Sequence, residues 1–156
     1  PFTTLTPNLG VVQLPDFRSF VVADIPGIIE GAHEGKGLGL QFLRHIERTR
    51  TLAFLIPVDG EDLQEEYDQL RLEVRSYSPE LAEKPHCVVL TKGDLLPPDA
   101  PVPELQAPDA WEVFRVSSVA RRGLDSLLEG LHNRVRSHPH EDSGPGGEES
   151  TWWGPE

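Results

Sequence analysis

The sequence predicts an α/β fold in which helices cover both faces of a mainly parallel sheet. Apolar runs at residues 51–58, 86–90 and 111–116 alternate with helix-forming stretches at 63–77 and 124–135. Strand–helix alternation of this kind is typical of parallel sheets, because a crossover connection must return the chain to the same end of the sheet. The 156 residues, 37% of them hydrophobic, are enough for one domain with a real core.

The N-terminal part precedes this alternation. Residues 1–8 predict a hydroxyl-rich loop, and residues 10–14 and 19–24 predict two strands of a hairpin joined by a turn at Pro15-Asp16. Residues 28–39 carry four glycines, which favour a mobile backbone, and a helical pattern begins at Leu40. A polar linker and a surface loop remain alternative interpretations of residues 1–8 and 28–39.

The remaining elements follow from periodicity and turn residues. Pro57 and Asp59-Gly60 end the strand at 51–58, and the helix at 63–77 is predicted to stop near Pro79. The Pro-rich residues 95–109 predict a loop, and Gly123 stands just before the closing helix. Residues 1–136 are therefore expected to form the domain, and residues 137–156 a disordered acidic tail.

Composition excludes several classes of protein. The net charge of −12 argues against broad electrostatic binding of nucleic acid. No apolar run has membrane-spanning length, and the single Cys87 excludes a disulfide framework, so we expect a cytoplasmic protein without membrane contact. The chain begins at Pro1 and contains no Met, which leads us to expect a fragment of a longer protein.

Polar motifs follow three of the predicted strands: Asp24–Gly27, Thr91–Asp94 and Ser117–Ser118. The carboxyl ends of parallel strands meet at one edge of a sheet, where α/β proteins bind ligands. The threonine-rich loop at residues 3–6 adds a fourth polar segment. An Asp-x-x-Gly pattern occurs by chance in many loops, so it is the joint occurrence of the four segments that indicates a ligand site.

Two longer segments resemble one family. The segment Phe2-Thr3-Thr4-Leu5-x-Pro7-Asn8-Leu9-Gly10-Val11 is similar to the first switch of Obg-type GTPases. The segment Asp24-Ile25-Pro26-Gly27-Ile28-Ile29-Glu30-Gly31-Ala32, with Gly37-Leu38-Gly39 and residues 42–48 (Phe-Leu-Arg-His-Ile-Glu-Arg), is similar to the second switch and the helix after it. The resemblance covers residues 1–136, and it implies a P-loop NTPase-like three-layer α/β/α sandwich that lacks its first strand and phosphate loop.

The resemblance implies a GTP-hydrolysing switch with Mg²⁺ as cofactor, acting as a monomer in assembly of the large ribosomal subunit. Thr4 would ligate Mg²⁺ directly, Asp24 would hold it through water, and Gly27 would donate its amide to the γ-phosphate, so these three form the catalytic set. Asp94 would read guanine, Lys92 would cover the base, and Ser117–Val119 would frame the base carbonyl. The implied nucleotide-binding residues are Phe2, Thr3, Thr4, Leu5, Thr6, Asp24, Ile25, Pro26, Gly27, Thr91, Lys92, Gly93, Asp94, Ser117, Ser118 and Val119.

Several positions depart from the family or limit its activity. Thr91 replaces the usual Asn of Asn-Lys-x-Asp, and Ser117-Ser118-Val119 replaces a motif close to Ser-Ala-Ala. Ile28 cannot position the attacking water, which predicts slow intrinsic hydrolysis. No Gly-x-x-x-x-Gly-Lys-Ser/Thr occurs in the chain, so we expect that loop upstream of Pro1 and expect these residues alone to be inactive. The alternative is a degenerate, non-hydrolysing module that binds the ribosome or another partner.

Overall fold

A computed structural model describes residues 8–24 and 47–137. This part of the chain contains a two-stranded antiparallel sheet and a three-stranded parallel sheet. Helices pack on both faces of the parallel sheet, as the strand–helix alternation predicts. None of the helices in these two ranges is both long and apolar enough to cross a membrane.

The antiparallel sheet is the predicted hairpin of β1 (Asn8–Gln13) and β2 (Ser19–Asp24). β1 begins at Asn8 rather than at residue 10, because Asn8 pairs with Asp24 and extends the ladder to the end of β2. A 3₁₀ turn over Pro15–Phe17 joins the strands, and the amide of Leu14 donates to the carbonyl of Arg18 at 2.8 Å to close it. The predicted turn at Pro15-Asp16 is confirmed.

The parallel sheet has the order β3 (Leu52–Pro57), β4 (His86–Thr91) and β5 (Ala110–Arg115). β4 lies in the middle and is buried almost throughout, which explains its continuous apolar sequence. Because β3 and β5 both run parallel to it, the three carboxyl ends lie at one edge of the sheet.

Helix α1 (Leu63–Tyr77) covers one face of this sheet. Its N-terminus is capped by Asp62, whose carboxylate accepts from the amide of Glu65 at 3.0 Å. The predicted helix at 63–77 is confirmed, and its residues Tyr67 and Val74 are buried against the side chains of β3 and β4. Pro79 ends α1 as predicted, but it also begins a short helix α2 (Pro79–Ala82), because proline is well tolerated at the first position of a helix.

Helix α3 (Leu124–Arg136) covers the opposite face. It packs its leucines against Cys87 and Val89 of β4 and against Val116 after β5. The same helix holds the hairpin, because Glu129 accepts two hydrogen bonds of 2.8 Å from the guanidinium of Arg18. The three layers are therefore α1 and α2, the parallel sheet, and α3.

Candidate nucleotide-binding site

The candidate site lies at the carboxyl edge of the parallel sheet. Thr91 is the last residue of β4, and the loop of Lys92, Gly93 and Asp94 follows it directly. The neighbouring strand β5 ends at Arg115, and the turn that begins at Ser117 comes two residues later. The structure therefore brings the second and third of the predicted polar motifs together, as parallel strand ends require.

Asp94 is the centre of this arrangement. Its carboxylate accepts a hydrogen bond of 2.6 Å from the hydroxyl of Ser117, and that hydroxyl accepts from the amide of Ala120 at 3.0 Å. The hydrogen bond from Ser117 lowers the pKa of Asp94, and a backbone hydrogen bond and the charge of Arg122 lower it further. Asp94 is exposed and hence an ionised acceptor, available to a ligand that offers N–H groups.

The backbone under Asp94 is fixed from β5. The amide of Gly93 donates to the carbonyl of Val116 at 2.9 Å, and the amide of Val116 donates to Leu90 at 2.8 Å. A Cβ on Gly93 would lie 3.0 Å from the Val116 carbonyl oxygen and 3.1 Å from Cγ of Arg115. A side chain at Gly93 would therefore require the end of β5 to shift by a few tenths of an ångström.

Lys92 lies on the solvent side of the same loop. It has a left-handed backbone with φ of 56°, and its ammonium group donates to Asp59 at 3.0 Å. Both side chains are about half exposed, so the pair contributes little to stability. The ion pair with Asp59 instead directs the aliphatic stem of Lys92 along this edge of the sheet.

The turn after β5 closes on itself. Ser117 and Arg122 exchange two backbone hydrogen bonds of 3.0 Å, and Ser118 and Val119 at its tip are exposed. Within residues 8–24 and 47–137, the amides of Ser118 and Val119 donate to no protein group, whereas those of Ser117 and Ala120 are both engaged. These two amides thus lie on the same turn as Ser117, whose hydroxyl binds the carboxylate of Asp94.

The predicted phosphate end is only partly described. Asp24 ends β2 with an exposed carboxylate, whose oxygens suit a hydrated Mg²⁺ ion. The predicted residues Phe2, Thr3, Thr4, Leu5, Thr6, Ile25, Pro26 and Gly27, together with Ile28, lie outside the described residues. In the part of the chain that is described, no three His, Cys, Asp or Glu side chains cluster closely enough to hold a metal ion. The described contacts do not join Asp24 to Asp94.

Sequence reasoning did not single out Asp59 or Arg115. Asp59 was interpreted only as part of the turn that ends β3, although it is the partner of Lys92. Arg115 donates to four carbonyl groups of the loop after β4. The one available signal was an arginine at the last position of β5, two residues before the polar motif that begins at Ser117.

Comparison with known proteins finds GTPases. A family model described as 50S ribosome-binding GTPase matches residues 1–92. The protein named GTPase Obg from Chlorobium phaeobacteroides (strain BS1) is 54% identical over 137 residues, which cover 88% of this chain and 41% of that protein. Its namesake from Chlorobaculum tepidum is 53% identical over 135 residues, covering 86% of this chain and 40% of that protein.

A third GTPase Obg, from Chlorobium luteolum (strain DSM 273), is 52% identical over 151 residues, or 95% of this chain and 43% of that protein. The chain thus spans about two fifths of the length of the curated relatives it matches. The family model covers more than half of the chain, and the relatives agree with the resemblance carried by the switch-like segments. This chain therefore belongs to the Obg family of GTPases.

Proposed function

We propose that this chain forms the base-binding part, and much of the phosphate-sensing part, of a domain that binds GTP and hydrolyses it to GDP and phosphate. The observation that carries the proposal is the ionised, exposed carboxylate of Asp94, held by the hydroxyl of Ser117 at 2.6 Å. A fixed carboxylate at this edge of a parallel sheet has the chemistry needed to recognise guanine.

Guanine offers two adjacent donors, the ring N1–H and the exocyclic amine, and a carboxylate can accept from both. Adenine offers no such pair, so an adenine nucleotide would leave the charge of Asp94 without its partners. The free amides of Ser118 and Val119 are suited to donate to the carbonyl oxygen of the base. Lys92, directed along the same edge by Asp59, would cover one face of the ring with its stem.

At the phosphate end, we infer that Thr4, Asp24 and Gly27 act together. Asp24 would hold Mg²⁺ through water and Thr4 would ligate it directly, while the amide of Gly27 would donate to the terminal phosphate. Bound Mg²⁺ supplies positive charge that offsets the charge of the phosphates. Ile28 has no polar atom to orient a water molecule, so we expect slow hydrolysis unless a partner or another part of the protein assists.

We further infer that the protein acts as a cytoplasmic monomer on the large ribosomal subunit. The description of the matching family as 50S ribosome-binding GTPase supports the ribosomal part of this inference. With a net charge of −12, the chain itself is unsuited to broad attraction to RNA, so we expect a localised contact. Co-sedimentation with purified 50S subunits, with GTP or GDP present, tests this part of the proposal.

The central experiment measures nucleotide binding and turnover by the protein in the full length that its gene encodes. Calorimetry should show binding of GDP and GTP and no measurable binding of ADP or ATP. Single-turnover assays should show GTP hydrolysis that requires Mg²⁺ and stops with EDTA. Equal affinity for guanine and adenine nucleotides would refute the proposed role of Asp94. We expect the 156 residues by themselves to bind GTP weakly, since the sequence contains no phosphate-binding Gly-Lys-Ser/Thr loop.

The alternative is a G domain that has lost hydrolysis and serves as a binding module. Thr91 favours it, because threonine lacks the amide of the Asn found at this position in the family. Binding of guanine nucleotides without any turnover over many hours, with 50S binding retained, would support the module over the enzyme.

A further inference from the structure

The loop that carries Asp94 is poorly able to hold its own shape. After the 3₁₀ turn at Gly93–Leu95 it continues through Pro97 and Pro98, and prolines lack the amide hydrogen that a turn or a strand ladder uses. Its internal backbone hydrogen bonds are short-range, such as that from Ala100 to Pro97 at 3.0 Å. The position of this loop must therefore be fixed from outside.

Arg115 supplies that external support. One terminal nitrogen donates to the carbonyl of Ala100 at 3.0 Å, and the other donates to Gly93 at 3.0 Å and to Pro97 at 3.1 Å, with a longer contact of 3.4 Å to Leu96. Within the described residues Arg115 forms no ion pair, so its guanidinium is used entirely on this loop. The flat fork of five N–H donors makes arginine suitable for several carbonyls at once.

These contacts bear directly on Asp94, because Gly93 is its neighbour in the chain. The carbonyl of Gly93 accepts from Arg115, its amide donates to Val116, and the side chain of Asp94 accepts from Ser117. Three consecutive residues at and after the end of β5 therefore make these contacts: Arg115, Val116 and Ser117. Together they fix the backbone that precedes Asp94 and also the carboxylate of Asp94. The close approach of Arg115 Nε, 3.2 Å from where a Cβ on Gly93 would stand, leaves this segment little room to move.

We propose that Arg115 is a positioning residue for guanine recognition, which holds Gly93 and the loop to residue 100 against β5 so that the Asp94 carboxylate meets the base. This inference rests on the proposed function. Arg115 touches no part of the nucleotide itself, and its effect is transmitted through the backbone of Gly93.

The test compares GDP with inosine diphosphate, which lacks the exocyclic amine, on the protein in its full length. Wild type should prefer GDP, because both oxygens of Asp94 are in place. Arg115→Met removes the donors but keeps an apolar stem, and should reduce the preference by about tenfold, since a slightly misplaced carboxylate loses the bond to the amine. Arg115→Lys keeps the charge without the fork and should give an intermediate ratio.

Arg71→Met is the matched control. Arg71 is also half-buried and bridges to a loop, through Asp109 at 3.2 Å, but it lies on α1 near the opposite edge of the sheet. Its substitution should leave the ratio of the two affinities unchanged. If Arg115→Met and Arg115→Lys lower both affinities equally, or lower neither, Arg115 is only a structural residue and the inference is wrong. If Arg115→Met does not fold, the ratio measured with Arg115→Lys decides alone.

A thermodynamic cycle with Asp94→Asn separates this inference from the proposed function. If Arg115 acts through Asp94, Arg115→Met should change GDP affinity much less once the carboxylate has been removed. Fully additive effects would overturn the inference while leaving guanine binding established. A wild-type protein that does not distinguish GDP from ADP would instead refute the proposed function, whatever the Arg115 variants do.

Discussion

Replacing Asp94 by asparagine should change the base that this protein prefers. The substitution removes the charge but keeps an acceptor oxygen that can receive the hydroxyl of Ser117, as the carboxylate does at 2.6 Å. With its oxygen engaged on that side, the side chain presents its NH₂ group where the second carboxylate oxygen stood. That NH₂ group would face the exocyclic amine of guanine, which is also a donor, whereas it could donate to the 2-carbonyl of xanthine.

The magnitude follows from the exposure of the site. Sites built around a buried hydrogen bond reject a mismatched partner by about 10⁴-fold. Because Asp94 is exposed, water can satisfy part of the mismatch, so we expect GDP affinity to fall by about 10²- to 10³-fold. Xanthosine diphosphate, which wild type should bind poorly, should become the preferred ligand of the variant.

Competition of both diphosphates against a fluorescent nucleotide measures this exchange in the full-length protein. Asp109→Asn is the matched control, since it removes the same charge from the partner of Arg71, away from the candidate site. It should leave the preference for GDP intact. If Asp94→Asn still prefers GDP over xanthosine diphosphate, Asp94 does not read the base and the assignment of this edge of the sheet is wrong.

Three further predictions concern stability. Tyr67→Phe should lower the free energy of unfolding by about 1–3 kcal/mol in urea titrations, because the Tyr67 hydroxyl lies 2.6 Å from Nε2 of buried His86 and its loss leaves that nitrogen unpaired; an unchanged midpoint would contradict this. Burial lowers the pKa of His86 below 6.5, so the unfolded chain takes up the proton first and stability should fall as the pH drops through about 6.5, more in wild type than in His86→Gln. Gly123→Ala should cost about 2 kcal/mol or more, because Gly123 has φ of 73° and a Cβ would lie 2.1 Å from the Arg115 carbonyl oxygen. Gly10→Ala, whose Cβ would meet nothing within 4 Å, is its control and should change stability much less.

The parts of the fold that sequence predicted well are those set by local patterns. The apolar period at residues 63–77 predicted helix α1, and the apolar run at residues 86–90 predicted strand β4. Polar motifs at the ends of β4 and β5 were predicted to meet, because parallel strands bring their carboxyl ends to one edge. Asp94 and Ser117, 23 positions apart, do meet at 2.6 Å.

What sequence did not predict depends on side chains that reach across the fold. The pairing of Tyr67 with His86 requires the register of β4 against α1, which periodicity does not contain. The contacts of Arg115 are with backbone carbonyls, which every residue possesses, so no partner residue type marks them in the sequence. The start of β1 at Asn8 was missed because pairing with Asp24, rather than strand propensity, extends the strand.

The way Asp94 is held bears on the unusual residue at position 91. Arg115 and Ser117 donate, and the carbonyl of Val116 accepts, the hydrogen bonds that place Asp94. None of these bonds uses the side chain of Thr91. The backbone of Thr91 still accepts from the amide of Val58 at 3.1 Å and keeps the end of β4 tied to β3. If Asp94 recognises guanine as proposed, the replacement of Asn by Thr would remove one contact near the base and leave the carboxylate of Asp94 in place. Affinity for the nucleotide, rather than discrimination between bases, is the property that this departure from the family should change.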